Sequence, residues 1–136
     1  MCGIAGVITS SPSAAELRPQ LEAAAAALRH RGPDDFGITL DGPVGLVHTR
    51  LSIIDLAGGH QPIVAPDGRL SAVVNGEIYN YVELRREFRE RGAPEPHSAS
   101  DSECVMQVYA AAGVAGFARL HGMFALALLD RQRHCL

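Results

Sequence analysis

Met1-Cys2-Gly3-Ile4-Ala5-Gly6-Val7-Ile8 opens the chain, and its reading decides the rest. Residues 3–9 form a short apolar run with isoleucine and valine, the pattern of a buried strand. If the initiator Met1 is removed, the residue leading into that strand carries both a thiol and a free α-amine. An α-amine titrates at a reference value of roughly 7.7 to 8, against about 10.4 for a lysine side chain, so it can take and return a proton near neutral pH. The thiolate is the attacking form of cysteine, and a terminal amine is a recognised base for activating such a nucleophile. The bland alternative is a cysteine that falls by accident at position 2, and these eight residues alone leave it open.

The composition around this start is that of a folded domain. The 136 residues are 47% hydrophobic and 20% charged with a formal charge of −3, which suits one domain, residues 1–136, with a real core. No apolar run approaches the ~18 residues a membrane span needs, and the N-terminus lacks the basic start and apolar core of a signal peptide. The expectation is a cytoplasmic protein with no membrane partner. Cys2, Cys104 and Cys135 are an odd, unpatterned set, which fits a reducing compartment. All twelve basic residues are arginine. The chain therefore has no lysine for a Schiff base or for a phosphate-binding loop, whereas an arginine can fork onto a carboxylate. The slight acidic excess argues against nucleic acid. His30, His48, His60, His97, His121 and His134 are scattered without ligand spacing, so no metal site is expected.

Taken in order, the chain alternates groups of strands with helices. Ser13 and Glu16 have capping-box spacing, and Leu17, Leu21, Ala24 and Leu28 share a face, predicting a helix over 14–29. Pro19 is awkward inside it, so the regular helix is expected to start there. Arg29-His30-Arg31-Gly32-Pro33-Asp34-Asp35 ends the helix in a loop. Strands are predicted over 36–40 and 44–49 about the turn Asp41-Gly42-Pro43, then a polar glycine-rich piece over 55–60. A strand over 70–74 is expected to stop at Asn75-Gly76-Glu77. Asn80 with Glu83, and Ser100 with Glu103, look like capping boxes that open further helices. The first ends near Arg91, with Tyr81, Leu84 and Phe88 buried; the second buries Val105, Val108, Tyr109 and Ala112. A short helical piece over 114–120, a central strand over 122–129 and a hairpin turn over 130–133 complete the chain. The pattern is α+β.

If Cys2 attacks an amide carbonyl, the resulting oxyanion needs fixed donors, one of which can be worth roughly 2.7 to 4 kcal/mol. Asn75 and the N–H of Gly76 are the candidates. An amino-acid substrate also needs a cation for its carboxylate, for which Arg50 is placed, and acceptors for its ammonium, for which Glu77 and Asp101 are placed. The competing readings are a plain turn at Asn75-Gly76 and a dipole-favoured helix start at Asp101. Cys104 reads as a small core residue, and the mixed charges from Arg85 to Arg91 as a solvated helix face.

MCGIAGVI, HRGPDDFG, HTRLSIIDL with GHQP, VVNGEIYNY and SDSE occur in this order, and together they resemble the glutaminase domain of glutamine-hydrolysing asparagine synthetases. The resemblance implies the four-layer αββα sandwich of N-terminal nucleophile hydrolases and a class II glutamine amidotransferase activity through a cysteinyl thioester. It places the nucleophile at Cys2, the glutamine-carboxylate arginine at Arg50 and backbone contacts at Ile53 and Ile54. Asn75 and Gly76 match the oxyanion hole, and Glu77 and Asp101 the ammonium site. The family's further strands and its ATP-dependent synthetase domain are not in this sequence, so the domain is expected to be incomplete at its C-terminus. ATP and Mg are expected only of that other domain, and no cofactor of this one. The implied partners are glutamine and a synthetase domain or subunit as ammonia acceptor, with a homodimer possible. Two other functions remain open on sequence: an inert truncated module that binds glutamine or a partner, and the glutaminase of a natural-product amide or β-lactam synthetase.

Overall fold

The computed structural model describes residues 2–10, 14–52 and 59–136. Its elements are β1 (Gly3–Ile8), α1 (Ala14–Leu28), β2 (Asp35–Asp41), β3 (Val44–Arg50), β4 (Ile63–Val64), β5 (Leu70–Ile78), α2 (Tyr81–Glu90), α3 (Cys104–Ala112) and β6 (Gly122–Asp130). Short 3₁₀ helices, Asp101–Glu103 and Gly113–Arg119, flank α3. Two antiparallel three-stranded sheets form, with orders β1-β3-β2 and β4-β5-β6.

Strand alternation turns these sheets into layers. On β3, Val47 packs with Leu21 and Ala25 of α1, whereas its neighbour Leu46 packs with Val73 of β5 and Leu129 of β6 between the sheets. On β5, Ala72, Val74 and Ile78 face the other way and pack with Leu84, Phe88, Val105 and Val108 of α2 and α3. The order is therefore helix, sheet, sheet, helices, the expected α+β four-layer sandwich. Each fully buried Leu, Val or Phe contributes roughly 1.5–3 kcal/mol of burial. Arg131 ties the two sheets, with Nε 3.3 Å from Asp41 and a hydrogen bond of 2.7 Å to Ser71.

Several boundaries differ from the sequence expectations. Pro19 lies inside α1, where Leu17 and Leu21, each 2% exposed, anchor both sides of it. Core burial outweighs the hydrogen bond that the proline cannot make. β4 has only two residues, too few to register as a hydrophobic pattern. Asn80 makes no cap bond: its Nδ2 donates to the Arg119 carbonyl (2.9 Å) and its Oδ1 accepts from the His121 N–H (2.9 Å), pinning the entry to β6. Ser100 does accept from the Ser102 N–H, but Glu103 reaches the His97 N–H and the Ser98 hydroxyl instead of completing a box.

The largest correction is β5. It does not stop before Asn75 but runs through Asn75, Gly76 and Glu77, which pair with Ala125, Phe124 and Met123. Asp130 belongs to β6 and is fully buried, taking the Arg69 guanidinium at 2.8 Å and the Tyr109 hydroxyl at 3.1 Å. Those donors hold its carboxyl well below the usual range. Among the described residues no helix is long and apolar enough to cross a membrane.

Candidate active site

β1, β3 and β5 deliver their polar ends to one place. A cavity of about 130 Å³ at the seam of the two sheets is lined by Cys2, Arg50, Asn75, Gly76, Glu77 and Asp101. Every candidate from the sequence that lies among the described residues is therefore present in one cavity. Ile53 and Ile54 lie outside the described residues.

Cys2 immediately precedes β1 and is half-buried. The Leu51 N–H points at its sulfur from 3.4 Å, and the Arg31 Nε donates to its carbonyl at 3.0 Å. The loop before β2 thus has a mechanical use that its sequence alone did not disclose. Besides the Arg31 contact, the Asp34 N–H bonds the Arg50 carbonyl (3.0 Å), and the Asp34 carboxylate takes the Ser52 N–H (2.7 Å). Gly32 lies flat on this chain; a Cβ there would come within 2.5 Å of the Arg50 nitrogen. The loop fixes Cys2 and Arg50 relative to each other.

Arg50, the last residue of β3, is buried, as is Asp101 at the start of its 3₁₀ helix. Asp101 Oδ2 accepts the Ile78 N–H at 2.6 Å, so the end of β5 sets the carboxyl in place. Asn75 and Glu77 are two apart on β5 and share its face toward the cavity, Asn75 half-buried and Glu77 exposed. Gly76 between them has φ +140°, and a Cβ would lie 2.6 Å from Phe124 Cα and collide with the Met123 carbonyl oxygen. Only glycine fits there. One guanidinium, two carboxylates, a half-buried amide and a thiol thus meet in a cavity sized for a small molecule, and the charges match a zwitterion in kind.

Behind Asn75, two side chains converge on Val74. His48 Nε2 donates to the Val74 carbonyl across the sheets at 3.1 Å, while the Gln61 amide bonds both the Val74 N–H (2.7 Å) and carbonyl (3.1 Å). Neither residue has a role that its local sequence marks; HTR and GHQP belong only to the resemblance. Burial lowers His48 from 6.5 to about 4. Because its folded value lies below the unfolded one, its contribution to stability is complete above pH ~6.5 and is lost as pH falls toward 4. Unfolding free energy measured by urea titration is expected to drop by about 3 kcal/mol across that window on account of this group. His48→Asn, which keeps a donor but does not titrate, should remove that part of the slope; an unchanged slope would refute the assignment.

Cys104 is fully buried, and burial pushes its thiol up to about 11, which suits a packing residue. Among the described residues no group of three His, Cys, Asp or Glu is arranged to hold a metal ion.

Comparison with known proteins places this geometry. The profile of a family described as a glutamine amidotransferase domain matches residues 1–136. Asparagine synthetase [glutamine-hydrolyzing] 2 of Bacillus subtilis is 37% identical over 136 residues, covering 98% of this chain and 18% of its own length. Asparagine synthetase B of Escherichia coli is 38% identical over 133 residues, with 98% and 24% covered. The corresponding enzyme of Asparagus officinalis is 38% identical over 135 residues, with 99% and 22% covered. The chain thus spans about a fifth of the length of these relatives. Among solved structures, glutamine phosphoribosylpyrophosphate amidotransferase from B. subtilis superimposes with a TM-score of 0.70 at 15% identity, over 96% of this chain and 35% of that one, a likeness of fold.

Proposed function

This chain belongs to the glutamine amidotransferase domain family, and from that premise we propose that it hydrolyses the side-chain amide of glutamine to glutamate and ammonia, with Cys2 as nucleophile. The observation that carries the reading is the single cavity lined by Cys2, Arg50, Asn75, Gly76, Glu77 and Asp101. After loss of Met1, the Cys2 α-amine takes the thiol proton, and sulfur attacks the glutamine side-chain carbonyl carbon. Asn75 and the Gly76 N–H stabilise the oxyanion. The C–N bond then breaks as the α-ammonium returns the proton to the leaving nitrogen, which departs as ammonia. Water attacks the thioester, the C–S bond breaks, and glutamate and the free thiol are restored. Arg50 holds the substrate carboxylate, while Glu77 and Asp101 hold its ammonium, an arrangement that binds a free amino acid rather than a peptide.

The ammonia acceptor in this reading is a synthetase domain or subunit of the kind in which aspartate is activated with ATP and Mg. No step assigned to the present residues uses either. The three free cysteines support a reducing, cytoplasmic setting as part of this reading. The decisive assay is incubation of the processed chain with glutamine: glutamate and ammonia should appear in equal amounts, and their absence would overturn the proposal. Arg50→Ala should act chiefly on KM, raising it by the equivalent of about 2–5 kcal/mol expected for a buried charged contact. Unaltered KM would remove Arg50 from carboxylate recognition.

A further inference from the structure

We propose that Gln61 is a positioning residue that holds Asn75 in register for the chemical step, an inference that rests on the glutaminase reading. Its side chain is 6% exposed and lines the cavity with Asn75. In the β4–β5 ladder Ile63 pairs with Ala72 and Val64 with Ser71. Carried back two residues, that register sets Gln61 opposite Val74. The Ala65 N–H bonds the Leu70 carbonyl, so residues 65, 63 and 61 are the hydrogen-bonding positions toward β5, and the backbone ladder itself ends at Ile63. The Gln61 side-chain amide supplies the missing rung, accepting the Val74 N–H through Oε1 and donating to the Val74 carbonyl through Nε2.

Val74 is the residue before Asn75, so its peptide sets where the Asn75 amide points. His48 reaches the same carbonyl from the other sheet. Gln61 is itself held: its backbone packs on β2 so closely that a Cβ at Gly37 would strike its carbonyl oxygen and lie 2.9 Å from Pro62 Cδ. Only an amide can both donate and accept at this position. An ionised glutamate of the same shape accepts from the N–H but turns a negative oxygen on the Val74 carbonyl.

Gln61→Glu in the full, processed chain, compared with wild type from pH 5 to 8, separates positioning from simple filling of a polar site. At pH 8 its kcat should be lower by about tenfold or more, with KM for glutamine within about threefold. As pH falls and the introduced carboxyl protonates, the donor to the Val74 carbonyl returns and the kcat ratio should recover. His48, Arg50, Glu77, Asp101 and the His60–Asp35 pair face this region in both proteins, so the ratio reports the introduced carboxyl together with its coupling to them. Alkylation of Cys2 by iodoacetamide, which needs the nucleophile but no oxyanion hole, should keep its wild-type rate. A kcat ratio that is flat with pH, a change in KM alone, or alkylation falling in parallel would overturn the proposal. If Gln61→Glu does not fold, Gln61→Met, which neither donates nor accepts in this way, should lose kcat at every pH with alkylation intact; a wild-type kcat would overturn it. Hydrogen exchange of the Val74 amide gives a readout without turnover, expected to quicken about tenfold or more in Gln61→Met as its partner is lost; unchanged exchange overturns the clamp. Wild-type protein that hydrolyses no glutamine would defeat the functional reading, an outcome distinct from active wild type matched by its Gln61 variants.

Discussion

Cys2→Ala is expected to lower glutamate release by about four orders of magnitude or more, the scale at which removing a nucleophile disables a covalent mechanism. Glutamine binding should survive, because Arg50, Glu77 and Asp101 are untouched. A thermal melt should therefore still rise when glutamine is added. The structure makes this a sharp test: Cys2 is the half-buried thiol of the cavity, held from two sides by the Leu51 N–H and the Arg31 guanidinium, whereas Cys104 is sealed in the core. Cys135 is exposed and lies beside the Tyr109 hydroxyl, so Cys135→Ser should leave the rate unchanged. Retention of Met1, read by mass spectrometry, should abolish turnover as fully as the alanine does, since it buries the α-amine in a peptide bond. Hydrolysis at the wild-type rate by Cys2→Ala would end the reading.

Much of this site was legible because it lies where strand pattern and motif coincide. Cys2 before an apolar run, Arg50 after one, and Asn75-Gly76-Glu77 after another are positions at which a buried strand reaches an edge, and the polar residues there have no packing reason to exist. The same logic overstated the break at Asn75. Asn and Gly are poor strand formers in isolation, yet pairing with β6 carries β5 on to Ile78, because glycine accepts the φ of +140° that the strand needs there. Asn80 and Asp130 depart from their local pattern for a related reason. Each has the composition of a cap or turn, but each is taken by a partner far along the chain, Arg119 and His121 for one and Arg69 and Tyr109 for the other. Local spacing cannot register such partners. Gln61 is the clearest case: it imitates a backbone rung, and its partner Val74 lies thirteen residues on, beyond what local spacing registers.

Gly76→Ala should have the largest effect on the fold, with a loss of about 4 kcal/mol or more, the range reached when a substitution has no way to be absorbed. The atoms a Cβ would meet are backbone: the Met123 carbonyl group, whose carbon would lie 2.8 Å away, and Phe124 Cα at 2.6 Å. No rotamer change can move them. Relief requires β5 to separate from β6, and that ladder runs from Leu70–Asp130 to Ile78–Gly122. Gly42 and Gly68 also have positive φ, at +51° and +71°, but a Cβ at either meets nothing within 4 Å. Alanine there should cost only the backbone term of about 1–2 kcal/mol. The difference between Gly76→Ala and Gly68→Ala in urea denaturation thus reports the clash together with the added cost of φ +140° over +71°. Since Gly76 also presents the N–H proposed for the oxyanion, any Gly76→Ala protein that does fold should lose kcat, and Gly68→Ala should not. Equal destabilisation by the two would mean that β6 does not press on Gly76, and the close pairing that places Asn75 and Gly76 at the cavity would have to be abandoned.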